Sequence, residues 1–277
     1  MSKRLAWCTD IHFDSAGGEP AIVQLAAQVR ARQVEGLLLT GDISTGRDII
    51  GHLSMFEREL QMPIYFVGGN HDYYHTSIEA GRRQLKEVSE ISQFLRYMPT
   101  VQYLALTPRT AVVGHDGWYD ALNGNWQSTN FLMNDWYKIQ EFAAVFPGAN
   151  RAVKTMDGIP TLARTIARAG VEHIAAGIKA AVRYHKAIVV LTHFPPWPEA
   201  ARHEGKISDG EHLPWYTSKM MGDMLLAAAK AYPQCSFTVL CGHTHGRWSG
   251  RVAPNMHVHV GGAEYGLPEV QPVIEVD

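Results

Sequence analysis

Gly36-Leu37-Leu38-Leu39-Thr40-Gly41-Asp42 is the stretch that decides the fold. Its apolar run is too short for a helix and too uniformly apolar for a half-exposed strand. It reads as a strand buried on both faces, as in a parallel sheet. The glycine after it lets the chain turn and present Asp42 at the strand end. The pattern extends both ways. Residues 5–9 form an earlier apolar run, and Ala21, Ile22, Leu25, Ala26 and Val29 then recur at helical spacing. Pro20 suits the first helical turn, and Gly36 lies beyond its end. Residues 48–60 predict a second helix and 63–67 a third strand. Strand, helix, strand, helix, strand is the signature of parallel β with crossover helices, hence an α/β fold.

Further along, Thr76 and Glu79 predict a capping box for a helix reaching residue 97. Residues 101–106 and 111–114 predict neighbouring strands. The stretch 117–158 is rich in Trp, Asn and Gly and carries little periodicity beyond a helix near 134–146. Residues 159–185 read as helix, interrupted at Gly170. A strand at 188–191, a Pro-rich loop at 194–198, a Met- and Ala-rich helix near 215–231 and strands at 237–241, 256–260 and 272–276 complete the pattern. With no repeat and no linker, residues 1–277 predict one domain with an insertion or cap at about 117–185.

Composition narrows the class. The 277 residues are 46% hydrophobic and 19% charged, which is globular rather than disordered. A formal net charge of −2 disfavours a long nucleic-acid partner, which calls for a basic surface. Cys8, Cys235 and Cys241 are too few for a disulfide framework, so free thiols and a reducing compartment are expected. The basic Met1-Ser2-Lys3-Arg4 leads into no apolar segment, and the longest aliphatic run, 187–191, is too short to span a bilayer. The expectation is a cytoplasmic protein without a membrane partner. Oligomeric state is not readable.

Chemistry concentrates in five segments: Asp10-Ile11-His12, Gly41-Asp42, Gly69-Asn70-His71-Asp72, Thr192-His193 and Gly242-His243-Thr244-His245. Each follows a run that reads as a strand. Taken singly, each has a plain reading: Gly-Asp and Gly-Asn-His-Asp are turn chemistry, and an Asp-x-His pair is common. Together they gather imidazole, carboxylate and amide groups at strand ends, the donor mixture that divalent metals of intermediate softness take.

This set, in this order, resembles the motif set of the calcineurin-like metallophosphoesterase superfamily, from residue 10 to residue 245. The resemblance implies a four-layer α/β/β/α sandwich of two mixed sheets flanked by helices, with a dinuclear metal site at the strand ends. It implies one metal held by Asp10, His12, Asp42 and His245, and a second held by Asp42, Asn70, His193 and His243. Asp42 would bridge, and His71 would be catalytic rather than a ligand. No ligand position is substituted. A hydroxide bridging two metals would attack phosphorus, and His71 would donate a proton to the leaving oxygen or stabilise transition-state charge. Mn²⁺ or Fe²⁺ leads, with Zn²⁺ and Ni²⁺ also compatible with N/O ligands. Ile43-Ser44-Thr45 offers no tyrosine for the ferric centre of purple acid phosphatases, and Ser44-Thr45-Gly46-Arg47 lacks the Asp-Arg-Gly of Ser/Thr protein phosphatases.

The expected activity is hydrolysis of a small-molecule phosphomonoester or phosphodiester. A nuclease and a non-catalytic metal-binding scaffold are the competing readings. Candidate substrate contacts are Arg247, His115 and Trp197. The charge cluster Arg202, His203 and Lys206 reads as solvated. Asp72 is a candidate to orient His71.

Overall fold

The structure, a computed structural model, describes residues 2–146, 148, 157–203 and 205–277. Strand β1 (Lys3–Cys8), helix α1 (Glu19–Ala31), strand β2 (Leu37–Thr40), helix α2 (Ile49–Leu60) and strand β3 (Ile64–Val67) follow the expected alternation. Helix α3 (Ile78–Ile91) starts differently from the expected box. Ser77, not Thr76, is its N-cap, accepting from the Ala80 N–H at 3.0 Å. The Glu141 carboxylate accepts from the Ile78 and Glu79 N–H groups at 3.0 and 3.2 Å. The helix also stops short of residue 97. Ser92 Oγ accepts from the Phe94 and Leu95 N–H groups at 3.0 and 2.7 Å, turning the chain into strand β4 (Leu95–Tyr97).

Strands β5 (Leu104–Ala105) and β6 (Thr110–Gly114) pair antiparallel; the expected 101–106 strand is confined to two residues. Short helices α4 (Asp135–Lys138) and α5 (Gln140–Val145) precede α6 (Gly158–Ala181). Residues 147 and 149–156 of the expected insertion lie outside the described residues. Helix α6 runs unbroken through Gly170, where a Cβ would come within 3.0 Å of His115 Nδ1, so this glycine serves close packing rather than a break. Strand β7 (Ala187–Leu191) leads to a small hairpin, β8 (Arg202–His203) and β9 (Lys206–Ile207).

The Met-rich helix divides into α7 (Leu213–Tyr216) and α8 (Lys219–Ala231). Thr217 Oγ1 donates to the Leu213 carbonyl at 2.7 Å, and Asp120 accepts from the Met220 N–H at 2.7 Å; side chains thus satisfy both sides of the break. Strands β10 (Ser236–Cys241), β11 (Trp248–Ala253), β12 (Met256–Val260) and β13 (Gln271–Val276) end the chain. Strand β11 was not expected. It is an edge strand with no buried residue, so its sequence lacks apolar alternation.

One sheet has the order β13-β1-β2-β3-β4, the other β11-β12-β10-β7-β6-β5. β1, β2, β3 and β4 are mutually parallel, as are β6, β7, β10 and β12; antiparallel strands lie only at edges. Strand alternation splits the apolar side chains between layers. Leu5, Trp7 and Leu38 face Leu191, Leu240 and Val112 across the sheet–sheet interface. Ala6, Cys8, Leu37 and Leu39 face α1, α2 and α3. Val113, Val190 and Val239 face the C-terminal half of α6 and α8. This is the expected α/β/β/α sandwich. A fourth, aromatic cluster joins Trp118, Tyr119, Trp136, Phe142 and Trp215 to Tyr73, Tyr74 and Phe194, and takes in the N-terminal half of α6. It fastens residues 117–146 beside the ends of β3 and β7. Among the described residues no helix is long and apolar enough to cross a membrane.

Candidate metal centre

Parallel strands put their C-terminal ends on one side. Asp10 and His12 follow β1, Asp42 follows β2, Asn70 and His71 follow β3, His193 follows β7, and His243 and His245 follow β10. The first three strands are neighbours in one sheet, the last two in the other. Facing sheets therefore deliver all eight residues to one rim, the usual place for a ligand in an open α/β sheet. The backbone is bent to do so. Asp10, His12, Asp42, His243 and His245 all have positive φ, between 39° and 71°. Non-glycine residues adopt this region rarely, and strain of this kind concentrates at functional sites.

The glycines act by both freedom and absence. Gly41 has φ 90°, and a Cβ there would come within 2.7 Å of His193 Nδ1. A Cβ on Gly69 would fall on the Asp42 carboxylate, and one on Gly242 on the Asp10 carboxylate.

Two sets of candidate metal ligands flank Asp42. On one side His12 Nε2 and His245 Nε2 face each other at 3.3 Å, with Asp10 Oδ1 3.5 Å from His245 Nε2 and Asp42 Oδ2 3.8 Å from His12 Nε2. On the other, His193 Nε2 lies 3.4 Å from Asp42 Oδ1 and 3.2 Å from Asn70 Oδ1, and His243 Nδ1 lies 3.1 Å from Asn70 Oδ1. Donor atoms of Asp10, His12 and His245, and of Asp42, His193 and His243, fall within 4.8 Å of one another. Facing imidazole nitrogens beside two carboxylates form a donor set that fits a divalent cation. His12, Asp42 and His71 make a third such group, with His71 Nε2 4.0 Å from Asp42 Oδ2.

Carbonyls select the tautomers. His193 Nδ1 lies 2.8 Å from the Thr40 carbonyl and His243 Nε2 3.3 Å from the Trp215 carbonyl. A carbonyl only accepts, so these nitrogens carry hydrogen and the opposite ones, aimed at Asp42 and Asn70, are the ones turned toward a cation position. Burial, then the neighbouring imidazoles, hold His243 well below the ordinary histidine range, and burial lowers His12 too; neutral imidazole is the ligating form. Burial works against ionising Asp42, but His193 and the other imidazoles outweigh it and hold the carboxyl well below its usual range. Reciprocally, burial would lower His193, but Asp42 pushes it up to about 10, so without a cation its Nε2 also carries a proton, facing Asp42, which a bound cation would displace.

Asn70 is oriented from outside the motifs. Its amide nitrogen donates to Asp135 Oδ1 at 2.9 Å, which turns its oxygen toward His193 and His243. The Tyr74 hydroxyl donates to the same Asp135 oxygen at 2.9 Å, and Asp135 Oδ2 is buried without a partner. Burial raises Asp135 to about 6.

Asp72 does not orient the His71 ring. Its carboxylate accepts from the N–H groups of Ile43, Ser44 and Gly69 at 2.8, 2.9 and 2.7 Å, stapling the loops after β2 and β3 together. His71 instead stacks on Tyr74, with ring centroids 4.3 Å apart, and its N–H donates to Asp42 Oδ1 at 2.9 Å.

These groups open into a cavity of about 210 Å³ lined by Asp42, Asn70, His71, His243 and His245 together with Tyr74, Tyr216, Tyr265 and residues 131–134. None of the three expected substrate contacts lines it. Arg247 donates to Glu269 at 2.7 Å and to Gln271 at 3.3 Å. His115 is buried against His173, and its Nδ1 accepts from the Gly117 N–H at 3.1 Å. Trp197 packs on the core under α8. Asp116, next to His115, braces the site from behind. It accepts from the Gly68 N–H, the Tyr73 and Tyr97 hydroxyls and Arg82 Nε at 2.6–3.1 Å. A larger groove of about 510 Å³ between α1 and residues 263–269 contains none of the expected ligands.

Solved structures share the architecture. The phosphopantetheinyl hydrolase PptH from Mycobacterium tuberculosis superposes with a TM-score of 0.63 at 13% identity, over 97% of this chain and 95% of that one. A dimetal phosphatase from Danio rerio gives 0.57 at 12% identity, over 94% and 87%. The protein TT1561 of Thermus thermophilus gives 0.56 at 14% identity, over 95% and 90%. At such identities the likeness is one of fold. No curated protein sequence matches significantly. The family model for calcineurin-like phosphoesterase matches residues 3–247, a span that contains both ligand sets, and this chain belongs to that family.

Proposed function

We propose that the chain is a metal-dependent hydrolase of small phosphomonoesters or phosphodiesters, working through two divalent cations. The observation that carries this reading is Asp42, buried between two ligand sets with one oxygen toward each. Asp10, His12 and His245 would complete one cation's ligands, and Asn70, His193 and His243 the other's. A cation pair so held, Mn²⁺ or Fe²⁺ among these N/O donors, would supply Lewis-acid activation of water and neutralisation of phosphoryl charge.

The chain's own groups do the rest. The cavity admits an ester to the rim of the strands. Asp135 keeps the Asn70 oxygen turned inward, and the two carbonyls keep the ring nitrogens of His193 and His243 available. His71 lies at the cavity wall with a side chain 19% exposed, which supports a role for it in donating a hydrogen bond to phosphoryl or leaving-group oxygen. Burial holds it down to about 4, against the pull of Asp42, so near pH 7 it is a neutral imidazole with one N–H to offer.

The test is metal content and turnover together. Wild-type protein loaded with Mn²⁺ should hold two equivalents and hydrolyse either an aryl phosphate or a bis-aryl phosphate. Asp42→Asn should lose metal and all turnover. Full activity in Asp42→Asn would sink the reading.

A further inference from the structure

The cavity over the candidate metal-ligand cluster has a polar floor of imidazole, carboxylate and amide groups, and aromatic and aliphatic side chains, with Asn134 among them, along its wall. Three tyrosine rings flank the imidazoles: Tyr265 lies 4.5 Å from His12 and 4.9 Å from His245, Tyr74 4.3 Å from His71, and Tyr216 5.2 Å from His243. Phe131, Leu132 and Met133 close the side contributed by the segment before α4. Among the described residues no lysine or arginine lines the cavity. Lys138, whose ammonium sits 4.8 Å over the Tyr74 ring, is not part of the lining, and Arg247 is engaged by Glu269. Two of the apolar side chains at the wall are open to solvent, Tyr265 at 53% and Leu132 at 38%. Rings and aliphatic groups left exposed beside a polar reaction centre mark the place where an apolar part of a ligand is buried.

We propose that this cavity selects phosphate esters whose alcohol portion is apolar or aromatic and carries no second anionic group. The proposal rests on the phosphoesterase reading above and names the substrate class of that same site. A second phosphate or a carboxylate on the leaving alcohol would lose its hydration against rings, with no lysine or arginine among the described lining residues to compensate. A phenyl or branched alkyl group would instead cover Leu132, Phe131 and the tyrosine faces. Nucleoside di- and triphosphates are therefore disfavoured, and phosphate esters of uncharged aryl or alkyl alcohols favoured.

The test uses esters matched in leaving-group acidity, 4-ethylphenyl phosphate and 4-(carboxymethyl)phenyl phosphate, with the corresponding methyl diesters run in parallel. On metal-loaded protein the ethyl ester should lead in kcat/KM by about tenfold or more, mostly through KM, the usual scale for apolar-pocket discrimination. Leu132→Lys, at an exposed position that folding tolerates, should shrink that ratio at least several-fold by placing a cation at the wall. Calorimetry with 4-ethylbenzylphosphonate and 4-(carboxymethyl)benzylphosphonate reads the same preference without turnover. Equal or better use of the carboxylate ester, equal binding of the two phosphonates, or a ratio unmoved by Leu132→Lys would each overturn the proposal. A binding preference in protein that hydrolyses none of the esters would support it as a ligand-selecting cavity and defeat the hydrolase reading instead.

Discussion

Asp135→Asn removes one charge and almost no volume, at a side chain with no solvent exposure. Asp135 Oδ1 accepts from Asn70 and Tyr74, while Oδ2 has no partner, so an asparagine can keep both hydrogen bonds and point its NH₂ into the unpartnered corner. What changes is the cost of the charge. Burial raises the carboxyl from 3.8 to about 6 in the folded protein. A raised acid binds its proton more tightly folded than unfolded. Its ionisation is therefore free below the unfolded value and destabilises increasingly as pH rises toward the folded one. One pKa unit corresponds to about 1.4 kcal/mol, so the full penalty is about 3 kcal/mol, reached by about pH 7, and only a small fraction of that near pH 4. Metal-free Asp135→Asn should gain roughly that difference in stability over wild type between acid and neutral pH. Urea unfolding of chelator-treated protein across that range measures it. Metal affinity should move the other way, falling about tenfold or more, since partners that orient and polarise ligands are commonly worth 10- to 100-fold. A stability difference between the two proteins that does not grow with pH would falsify the electrostatic account. Unchanged metal affinity would remove Asp135 from the site.

Three further outcomes follow from particular contacts. His71→Ala should retain two metal equivalents by elemental analysis and lose about 10²- to 10³-fold in kcat, the range for a lost transition-state hydrogen-bond donor; loss of a metal equivalent would make His71 a ligand. Gly69→Ala alters no ligand, yet its Cβ would overlap the Asp42 carboxylate and approach His193 Cε1 to 2.8 Å. It should empty the centre of metal in a protein that still folds by circular dichroism, and retention of both metals would refute the steric argument. Burial lowers His115 to about 3, so the folded protein resists a proton that the unfolded chain takes up below 6.5. That stability is present above pH 6.5 and is lost as pH falls toward 3. His115→Gln should flatten the metal-free unfolding profile between pH 6 and 4 by about one proton, near 1.4 kcal/mol per pH unit. Parallel profiles for the two proteins would show that His115 does not carry the effect.

Legibility tracked the range of the forces involved. Leu37 to Asp42 could be read because burial on both faces, strand length and a glycine turn are properties of consecutive residues, and the same held after β1, β3, β7 and β10. Errors arose where a distant partner made the decision. Glu141 reaches the first turn of α3 from 62 and 63 residues away. β11 exists because β12 offers it an edge. Arg247 follows the last ligand pair by two residues, yet Glu269 takes its guanidinium away from the cavity. Asp72 adjoins His71, yet three N–H groups use both its oxygens.

The sequence by itself determined the α/β class and pointed to the candidate metal-ligating residues, because strand ends and their following turns are local and the donor chemistry belongs to the side chains. Only the tertiary structure decided which Asp42 oxygen faces which candidate ligand set, that Asp135 turns the Asn70 amide, and that Phe131, Leu132 and Tyr265 wall the cavity. Those facts depend on two sheets facing each other and on an aromatic cluster that anchors an aperiodic segment beside them. Neither leaves a pattern along the chain.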